Sequence, residues 1–149
     1  MATSQLSVII PTFNRAHSLH RAIDSVFRQT HEVDDVIVLD DGSTDGTAEL
    51  IATKFTQVKY ITQENRGVSA ARNEGIMRTN TDWLAFLDSD DEWLPQKLER
   101  QMAALKEHPD MKICHTDEIW IRNGKRVNPM KKHAKSGGWI FERCLPLCC

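Results

Sequence analysis

Short apolar runs alternate with amphipathic segments along most of the chain. The runs at 6–10, 36–40, 58–62 and 82–88 are rich in β-branched or aromatic residues and are bounded by turn-forming or polar residues. We therefore predict a β-strand at each of them. The first two are apolar almost throughout, which is typical of parallel strands that are covered on both faces.

Between these strands, apolar residues recur with the period of a helix. The first predicted helix has four of them on one face: Leu19, Ile23, Val26 and Phe27. Ser18 is its candidate N-cap. We predict further helices after Asp45, with Leu50 and Ile51 inward, over 68–78, and from a first turn that contains Pro95. The last carries Leu98, Met102 and Leu105 on one stripe and ends near His108 and Pro109.

Strands that alternate with helices predict an α/β fold, a Rossmann-like α/β/α sandwich with a mainly parallel central sheet. We expect one domain over 1–149, because 149 residues with 40% hydrophobic content suffice for a single core. Residues 112–121 predict a further strand pair that leads into a tight hairpin at Asn123-Gly124. Ligands of such sheets gather at the carboxyl ends of the strands.

Composition narrows the class of protein further. The net charge of −2 and the pI of about 6.3 lack the basic excess of a nucleic-acid binder, so we expect no nucleic-acid partner. The apolar runs are too short for a membrane span, and the start of the sequence does not resemble a signal peptide. We expect a soluble, cytoplasmic protein. The four cysteines, in the absence of a paired C-x2-C spacing, predict reduced thiols rather than a zinc site.

An acidic cluster follows the fourth predicted strand. It comprises Asp88, Asp90, Asp91 and Glu92. The structural alternative is that these acids simply cap the helix that follows. However, two carboxylates about 6 Å apart repel each other by roughly 3 kcal/mol at an effective dielectric constant of 20, so a nearby positive charge is expected. Mg²⁺ and Mn²⁺ bind through one or two carboxylates together with substrate phosphates and water. We therefore predict a metal-diphosphate site here.

Other acid or phosphate motifs fit less well. Residues 41–46 resemble the start of a calcium loop, but its twelfth position is Ala52 instead of glutamate. The sequence after Asp90 lacks the pattern of an aspartate nucleophile that accepts phosphate. A Walker A loop and a G-x-G-x-x-G motif are absent, and the first loop lacks the basic glycine-rich segment of a nucleotidyltransferase. Kinase, dehydrogenase and nucleotidyltransferase functions are therefore disfavoured.

Four motifs follow one another along most of 6–105: "LSVIIPTFNR", "VIVLDDGSTDGT", "ENRGVSAARNEGI" and "WLAFLDSDDEWLPQKLERQ". In this order and at these spacings they resemble the nucleotide-binding half of a family 2 glycosyltransferase with the GT-A fold. The resemblance implies transfer of a sugar from a nucleoside-diphosphate donor, by default a UDP-sugar, with inversion and with Mn²⁺ or Mg²⁺ as cofactor. It also implies a saccharide or lipid-linked saccharide acceptor and leaves room for peripheral association with the cytoplasmic face of a membrane.

The resemblance assigns roles to the first two motifs. Pro11, Thr12 and Asn14 would lie along the nucleoside, largely through backbone contacts. Asp41 would accept a hydrogen bond from the base, and Asp40 could share that role. Either acid is otherwise a turn residue that caps the next helix.

The third and fourth motifs supply the remaining candidates. Asn65 and Gly67 would lie near the nucleotide, with the glycine leaving room for close approach of the backbone. Arg72 would brace the D-x-D carboxylates or the diphosphate. Asp88 would lie near the ribose and the cation. Asp90 would be the main metal ligand, with Asp91 as the alternative.

The catalytic base is not among these residues. In the family it is an acid well downstream of the D-x-D motif, so we expect it beyond Cys149 and expect the natural protein to continue past "LPLCC". Asp117 and Glu118 are too near the motif for this role. A nucleotide-sugar binding module without turnover is therefore the alternative function. The basic segment 122–135 predicts a solvated loop, with a mobile cover over the donor as the functional alternative.

Overall fold

The computed structural model describes residues 4–128, 135, 137 and 138. The chain divides into two compact units, Met1–Pro109 and Asp110–Cys149. The motif-bearing part, 6–105, lies within the first unit, and the single domain predicted for 1–149 stays a prediction. None of the helices in the described ranges is long and apolar enough to cross a membrane.

The first unit contains a four-stranded parallel sheet in the order β3-β2-β1-β4, with a helix after each strand. Its elements are β1 (Leu6–Thr12), α1 (Ala16–Phe27), β2 (Asp35–Asp40), α2 (Thr47–Lys54), β3 (Lys59–Thr62), α3 (Val68–Met77), β4 (Trp83–Phe86) and α4 (Lys97–Glu107). This architecture confirms the predicted α/β fold with a parallel central sheet.

The sheet is sandwiched between helices, with β1 and β2 in its centre. On one face, Val8 and Ile10 pack in a cluster with Ile23 of α1, Ile51 of α2 and Leu98 of α4. On the other face, α3 covers a smaller cluster around Ile37, Leu39 and Ala71. Both central strands need apolar residues at consecutive positions because both of their faces are covered.

Helix α3 approaches β1 closely at Gly75. A Cβ atom at this position would lie 2.7 Å from Cγ2 of Ile9, which is shorter than any ordinary carbon contact. Only glycine therefore allows α3 to lie this close to the centre of the sheet.

Three details of the predicted helices were wrong. Helix α1 begins at Ala16 and has Arg15 at its N-cap position, so Ser18 lies in the first turn. No side chain of its own segment caps the helix, because the carboxylate of Asp45 accepts the Ala16 N–H at 2.9 Å. Phe27, the last residue of α1, is 43% exposed instead of buried. Pro95 precedes α4 by two residues.

The second unit contains an antiparallel hairpin of β5 (Trp120–Arg122) and β6 (Lys125–Val127). Asn123 and Gly124 both have positive φ, as the predicted tight turn requires, so the hairpin is confirmed. The strand predicted over 112–121 was wrong for 112–119, because no described strand pairs with that segment. Three of the four cysteines and residues 129–134 of the basic segment lie outside the described residues.

Candidate functional site

A cavity of about 340 Å³ lies at the carboxyl edge of the sheet. Its walls come from the loops after β1, β2 and β4 and from the first turns of α3. Six of the predicted site residues line it: Pro11, Thr12, Asp41, Arg72, Asp88 and Asp90. The three polar motifs therefore meet in one crevice, because parallel strands bring their carboxyl ends to the same edge.

Asp40 ends β2 and is directed away from this cavity. It is 2% exposed, and its carboxylate accepts hydrogen bonds from the Tyr60 hydroxyl and from the Ser43 N–H, the latter at 2.8 Å. Burial, followed by the hydrogen bond to Asp40 and its charge, raises the pKa of Tyr60. Asp40 thus joins β2 to β3 and closes the turn that follows β2.

Asp41 is 4% exposed and lines the cavity. Its Oδ1 accepts hydrogen bonds from Gln63 Nε2 at 2.6 Å and from the Arg66 N–H at 2.9 Å, and its Oδ2 accepts one from the Gly67 N–H at 2.8 Å. Burial alone would raise its pKa, but these hydrogen bonds and the Arg66 charge lower the pKa below 3.8. Asp41 is therefore a carboxylate that fixes the loop before α3 to the end of β2.

Asn14 and Asp45 connect the first loop to the second. Asn14 has a φ of 52°, and its side-chain oxygen accepts the Thr44 N–H at 2.8 Å. Asp45 accepts hydrogen bonds from the N–H of Ala16 and from the N–H and hydroxyl of Thr47. Burial raises the pKa of Asp45, but these hydrogen bonds outweigh burial and lower it. Asn14 thus organises the cavity rim and does not line the cavity.

Asn65 and Gly67 lie on the loop that Asp41 holds. Asn65 is exposed, and its backbone lies beside Gly42. Gly67 adopts φ 88° and ψ 160° at the start of α3, a conformation that is essentially restricted to glycine. The space on its Cβ side is open to at least 4 Å. The backbone at Gly67 is thus shaped by the fold and accessible to a ligand.

Two of the acids after β4 each contact an arginine of the cavity lining. Asp88 Oδ1 accepts a hydrogen bond from Arg72 Nη2 at 2.5 Å, and Asp90 Oδ2 lies 4.0 Å from Arg15 Nε. Asp91 donates its N–H to the Asp88 carbonyl at 3.0 Å and is exposed outside the lining. The alternate positions 88 and 90 therefore present their carboxylates to the same space.

The segment after the acids is held by α1. The Trp93 N–H donates to Ser25 Oγ at 3.0 Å, and the Gln29 side chain bonds both the Leu94 carbonyl and the Leu98 N–H. The Trp93 ring packs on the core. These bonds attach the segment that directly follows the acids to α1.

Two buried polar atoms of the cavity residues have no hydrogen-bond partner among the described residues, Thr12 Oγ1 and Arg72 Nε. Buried polar groups are nearly always paired in folded proteins, because an unpaired one loses its solvation without compensation. One is a hydroxyl and the other a guanidinium donor. Together with the Asp88 and Asp90 carboxylates, they make a cavity suited to a polar, anionic ligand that carries a cation.

The residues present fit a divalent cation held jointly with a ligand. In the described part of the chain no group of three or more His, Cys, Asp or Glu side chains converges to hold a metal by itself. Asp88 and Asp90 supply two carboxylates to one cavity. Mg²⁺ and Mn²⁺ sites of this kind complete their coordination with phosphate oxygens and water.

Five lining residues were not predicted from the sequence. They are Phe13, Arg15, Val68, Ala71 and Ser89. Arg15 could have been found from the sequence as a basic residue in the loop after the first strand, in the "PTFNR" motif. It was overlooked because α1 was expected to begin at Ser18, which would have placed Arg15 in the middle of a loop.

The parallel sheet with an acid-bearing loop at its carboxyl edge has the arrangement of a GT-A-type α/β fold. The sequence model described as Glycosyl transferase family 2 matches residues 7–141. The chain belongs to this family, as the sequence motifs predicted.

Similar proteins that are named as glycosyltransferases support this family assignment. An uncharacterized glycosyltransferase of Rickettsia bellii is 36% identical over 148 residues, which are 97% of this chain and 21% of the relative. WfgD of Escherichia coli, named as a UDP-Glc:alpha-D-GlcNAc-diphosphoundecaprenol beta-1,3-glucosyltransferase, is 33% identical over 85% of this chain and 52% of its own. This chain therefore spans between about a fifth and a half of the length of these two relatives.

Solved structures agree on the fold. Residues 1–349 of TarS from S. aureus align with a TM-score of 0.64 and 27% identity, covering 70% of this chain and 33% of that one. The same part of TarS has also been solved with UDP-GlcNAc. The mannosyltransferase PcManGT from Pyrobaculum calidifontis, solved with GDP-Man and Mn²⁺, aligns with a TM-score of 0.61 and 25% identity over 70% of this chain and 33% of that one.

Proposed function

We propose that this chain is the donor-binding part of a metal-assisted, inverting glycosyltransferase that uses a nucleoside-diphosphate sugar. The carrying observation is the cavity at the carboxyl edge of the sheet, where Asp41, Arg72, Asp88 and Asp90 meet. A UDP-sugar is the proposed donor, supported by the UDP-GlcNAc bound to TarS and by the donor in the name of WfgD. The GDP-Man complex of PcManGT makes GDP the first competitor to test.

The nucleoside is proposed to bind along the first two loops. Pro11 and Thr12 line the cavity floor, and Asp41 remains ionised at its wall. Because three donors already occupy the Asp41 oxygens, this carboxylate can share at most its remaining lone pair with the base. Asn14 and Asp40 are proposed to shape this part of the site through the loops that they hold together. Asn65, on the loop that Asp41 holds, is proposed to lie near the nucleotide.

The diphosphate is proposed to lie between α3 and the acidic loop. Arg72 lines the cavity and bonds Asp88, and its buried Nε has no hydrogen-bond partner among the described residues. A guanidinium is suited to bidentate pairing with phosphate oxygens. Gly67 presents open backbone at the N-terminus of α3, where partial positive charge favours an anion.

Asp88 and Asp90 are the proposed ligands of Mn²⁺ or Mg²⁺, with Asp91 as the alternative for one of them. The bound cation would neutralise negative charge on the leaving diphosphate as a Lewis acid. The Mn²⁺ in the PcManGT complex supports this proposal. Both carboxylates are more than half exposed, so a hydrated cation can reach them.

The acceptor is proposed to be a saccharide or a lipid-linked saccharide hydroxyl, following the acceptor in the name of WfgD. A lipid-linked acceptor would place the reaction at the cytoplasmic face of a membrane, with the protein associated peripherally. We assign no catalytic base to the described residues. The chain spans only part of its relatives, which keeps the second candidate open: nucleotide-sugar binding without turnover by this chain alone.

The test is calorimetric titration of UDP into this chain and into its variants Asp88→Asn and Asp90→Asn in Mn²⁺ buffer. Each variant keeps the shape of the side chain and loses a charged metal ligand, so we expect UDP to bind at least ~10-fold more weakly. Asp82→Asn is the matched control, because Asp82 is an exposed acid outside the cavity lining. If Asp90→Asn binds UDP as tightly as the unchanged chain, the proposed metal site is wrong.

A further inference from the structure

Arg15 contributes a positive charge to a cavity that already has one from Arg72, yet the two arginines are held differently. Arg72 is a third exposed and bonds Asp88 at 2.5 Å. Arg15 is about half exposed, at 48%, and lies 4.0 Å from Asp90, the limit of an ion pair. Arg72 is therefore a fixed part of the wall, whereas Arg15 is loosely attached to the acid that the proposed function assigns to the cation.

The contact that Arg15 makes depends on whether a cation is bound to Asp90. Arg15 is the N-cap residue of α1, so its backbone is fixed by the helix while its side chain reaches over the cavity edge. A guanidinium and a divalent cation that contact the same carboxylate repel each other. A cation bound to Asp90 therefore weakens the 4.0 Å contact with Arg15, and the diphosphate that binds with that cation offers the guanidinium a new negative charge.

We propose that Arg15 is a positioning residue that neutralises Asp90 in the cation-free chain and transfers to the diphosphate when nucleotide and cation bind together. This inference rests on the proposed function. Arg15 thereby couples the two ligands: it opposes binding of the cation alone and favours binding of the cation with the nucleotide. Coupling of this kind is reciprocal between the two ligands.

The proposal predicts effects of opposite sign for one substitution. In Arg15→Gln the competitor of the cation is lost, so Mn²⁺ alone should bind roughly 2- to 5-fold more tightly, the range expected for an exposed ion pair. The same variant loses a charge that pairs with the diphosphate, so UDP in saturating Mn²⁺ should bind roughly 3- to 10-fold more weakly. A residue that only supports the fold would change both affinities in the same direction.

Two further variants serve as controls. Arg21→Gln removes the same charge from the same helix, but Arg21 pairs with Glu92 at 3.5 Å and does not line the cavity, so it should change neither affinity more than about 2-fold. Arg15→Lys keeps the charge and should retain most of the coupling. Circular dichroism with urea denaturation verifies that each variant is folded.

The measurements are Mn²⁺ binding by electron paramagnetic resonance without nucleotide, and UDP binding by calorimetry in saturating Mn²⁺. Tighter Mn²⁺ binding together with weaker UDP binding by Arg15→Gln supports the proposal. Unchanged or weaker Mn²⁺ binding, or unchanged UDP binding, overturns it while metal-dependent UDP binding by the unchanged chain upholds the proposed function. A folded, unchanged chain that binds no UDP overturns both.

Discussion

Asp41 offers the sharpest test of how the cavity wall is held. Its carboxylate is 4% exposed and accepts three hydrogen bonds, two of them from the backbone N–H groups of Arg66 and Gly67. In Asp41→Asn one acceptor oxygen becomes an NH₂ group, so at least one of the three donors faces another donor. Hydrogen bonds to charged groups are worth about 1.5–3 kcal/mol. We expect the free energy of unfolding at pH 7 to fall by about 2–3 kcal/mol.

The pH dependence gives this prediction a second readout. Because the pKa of Asp41 is lower in the folded chain than its ordinary value of 3.8, the unfolded chain takes up a proton at higher pH than the folded chain does. The stabilisation by the carboxylate is thus complete above pH 3.8 and is lost as the pH falls through the folded pKa. The difference in unfolding free energy between the unchanged chain and Asp41→Asn should therefore be constant well above pH 3.8 and shrink as the pH falls below that value.

Urea denaturation followed by circular dichroism measures both effects. Asp82→Asn is the matched control, since Asp82 is exposed and accepts one hydrogen bond from the Gln5 N–H at 3.0 Å. Its cost should stay below about 1 kcal/mol. A destabilisation by Asp41→Asn no larger than that of the control, or one that does not depend on pH, would refute the view that Asp41 fixes the loop before α3.

Three further substitutions test other parts of the account by the same denaturation assay. Gly75→Ala should cost about 1–3 kcal/mol, because its Cβ would lie 2.7 Å from Ile9; a neutral effect would mean that α3 shifts freely. Gly67→Ala should cost about 1–3 kcal/mol from its backbone conformation, and calorimetry should show weaker UDP binding; unchanged affinity would exclude this backbone from the site. Tyr60→Phe should cost about 1–3 kcal/mol, since Asp40 loses a buried donor; no loss of stability would contradict the role given to that bond.

Much of the first unit was predictable because its sheet is central and covered on both faces. Apolar runs such as 6–10 and 36–40 have no alternative to burial, and the strand ends placed Asp41, Asp88 and Asp90 on one edge. The start of α1 was not predictable, because the group that satisfies its first N–H is Asp45, from another loop. Local sequence carries no signal for such a partner.

Partners on distant segments also explain why some candidate site residues make contacts that the sequence did not predict. Asp40 and Asp41 are adjacent in sequence, and β-strand alternation sends them to opposite sides, so one bonds Tyr60 and the other lines the cavity. The contact of Arg15 with Asp90 also joins two segments that are distant in sequence, so local sequence carries no signal for it. The strand pair predicted over 112–121 is wrong for 112–119 because a strand-like sequence forms a sheet only with a paired neighbour, and the described residues supply none there.

The measurement that tests the central claim most directly is calorimetric titration of UDP into the unchanged chain, first with Mn²⁺ and then with an excess of EDTA. We expect saturable binding with Mn²⁺ and a loss of affinity of at least ~10-fold with the chelator, because the proposed site holds one cation between the diphosphate and the Asp88 and Asp90 carboxylates. Absence of binding by UDP and GDP under both conditions, in a chain that circular dichroism shows to be folded, would contradict the central claim.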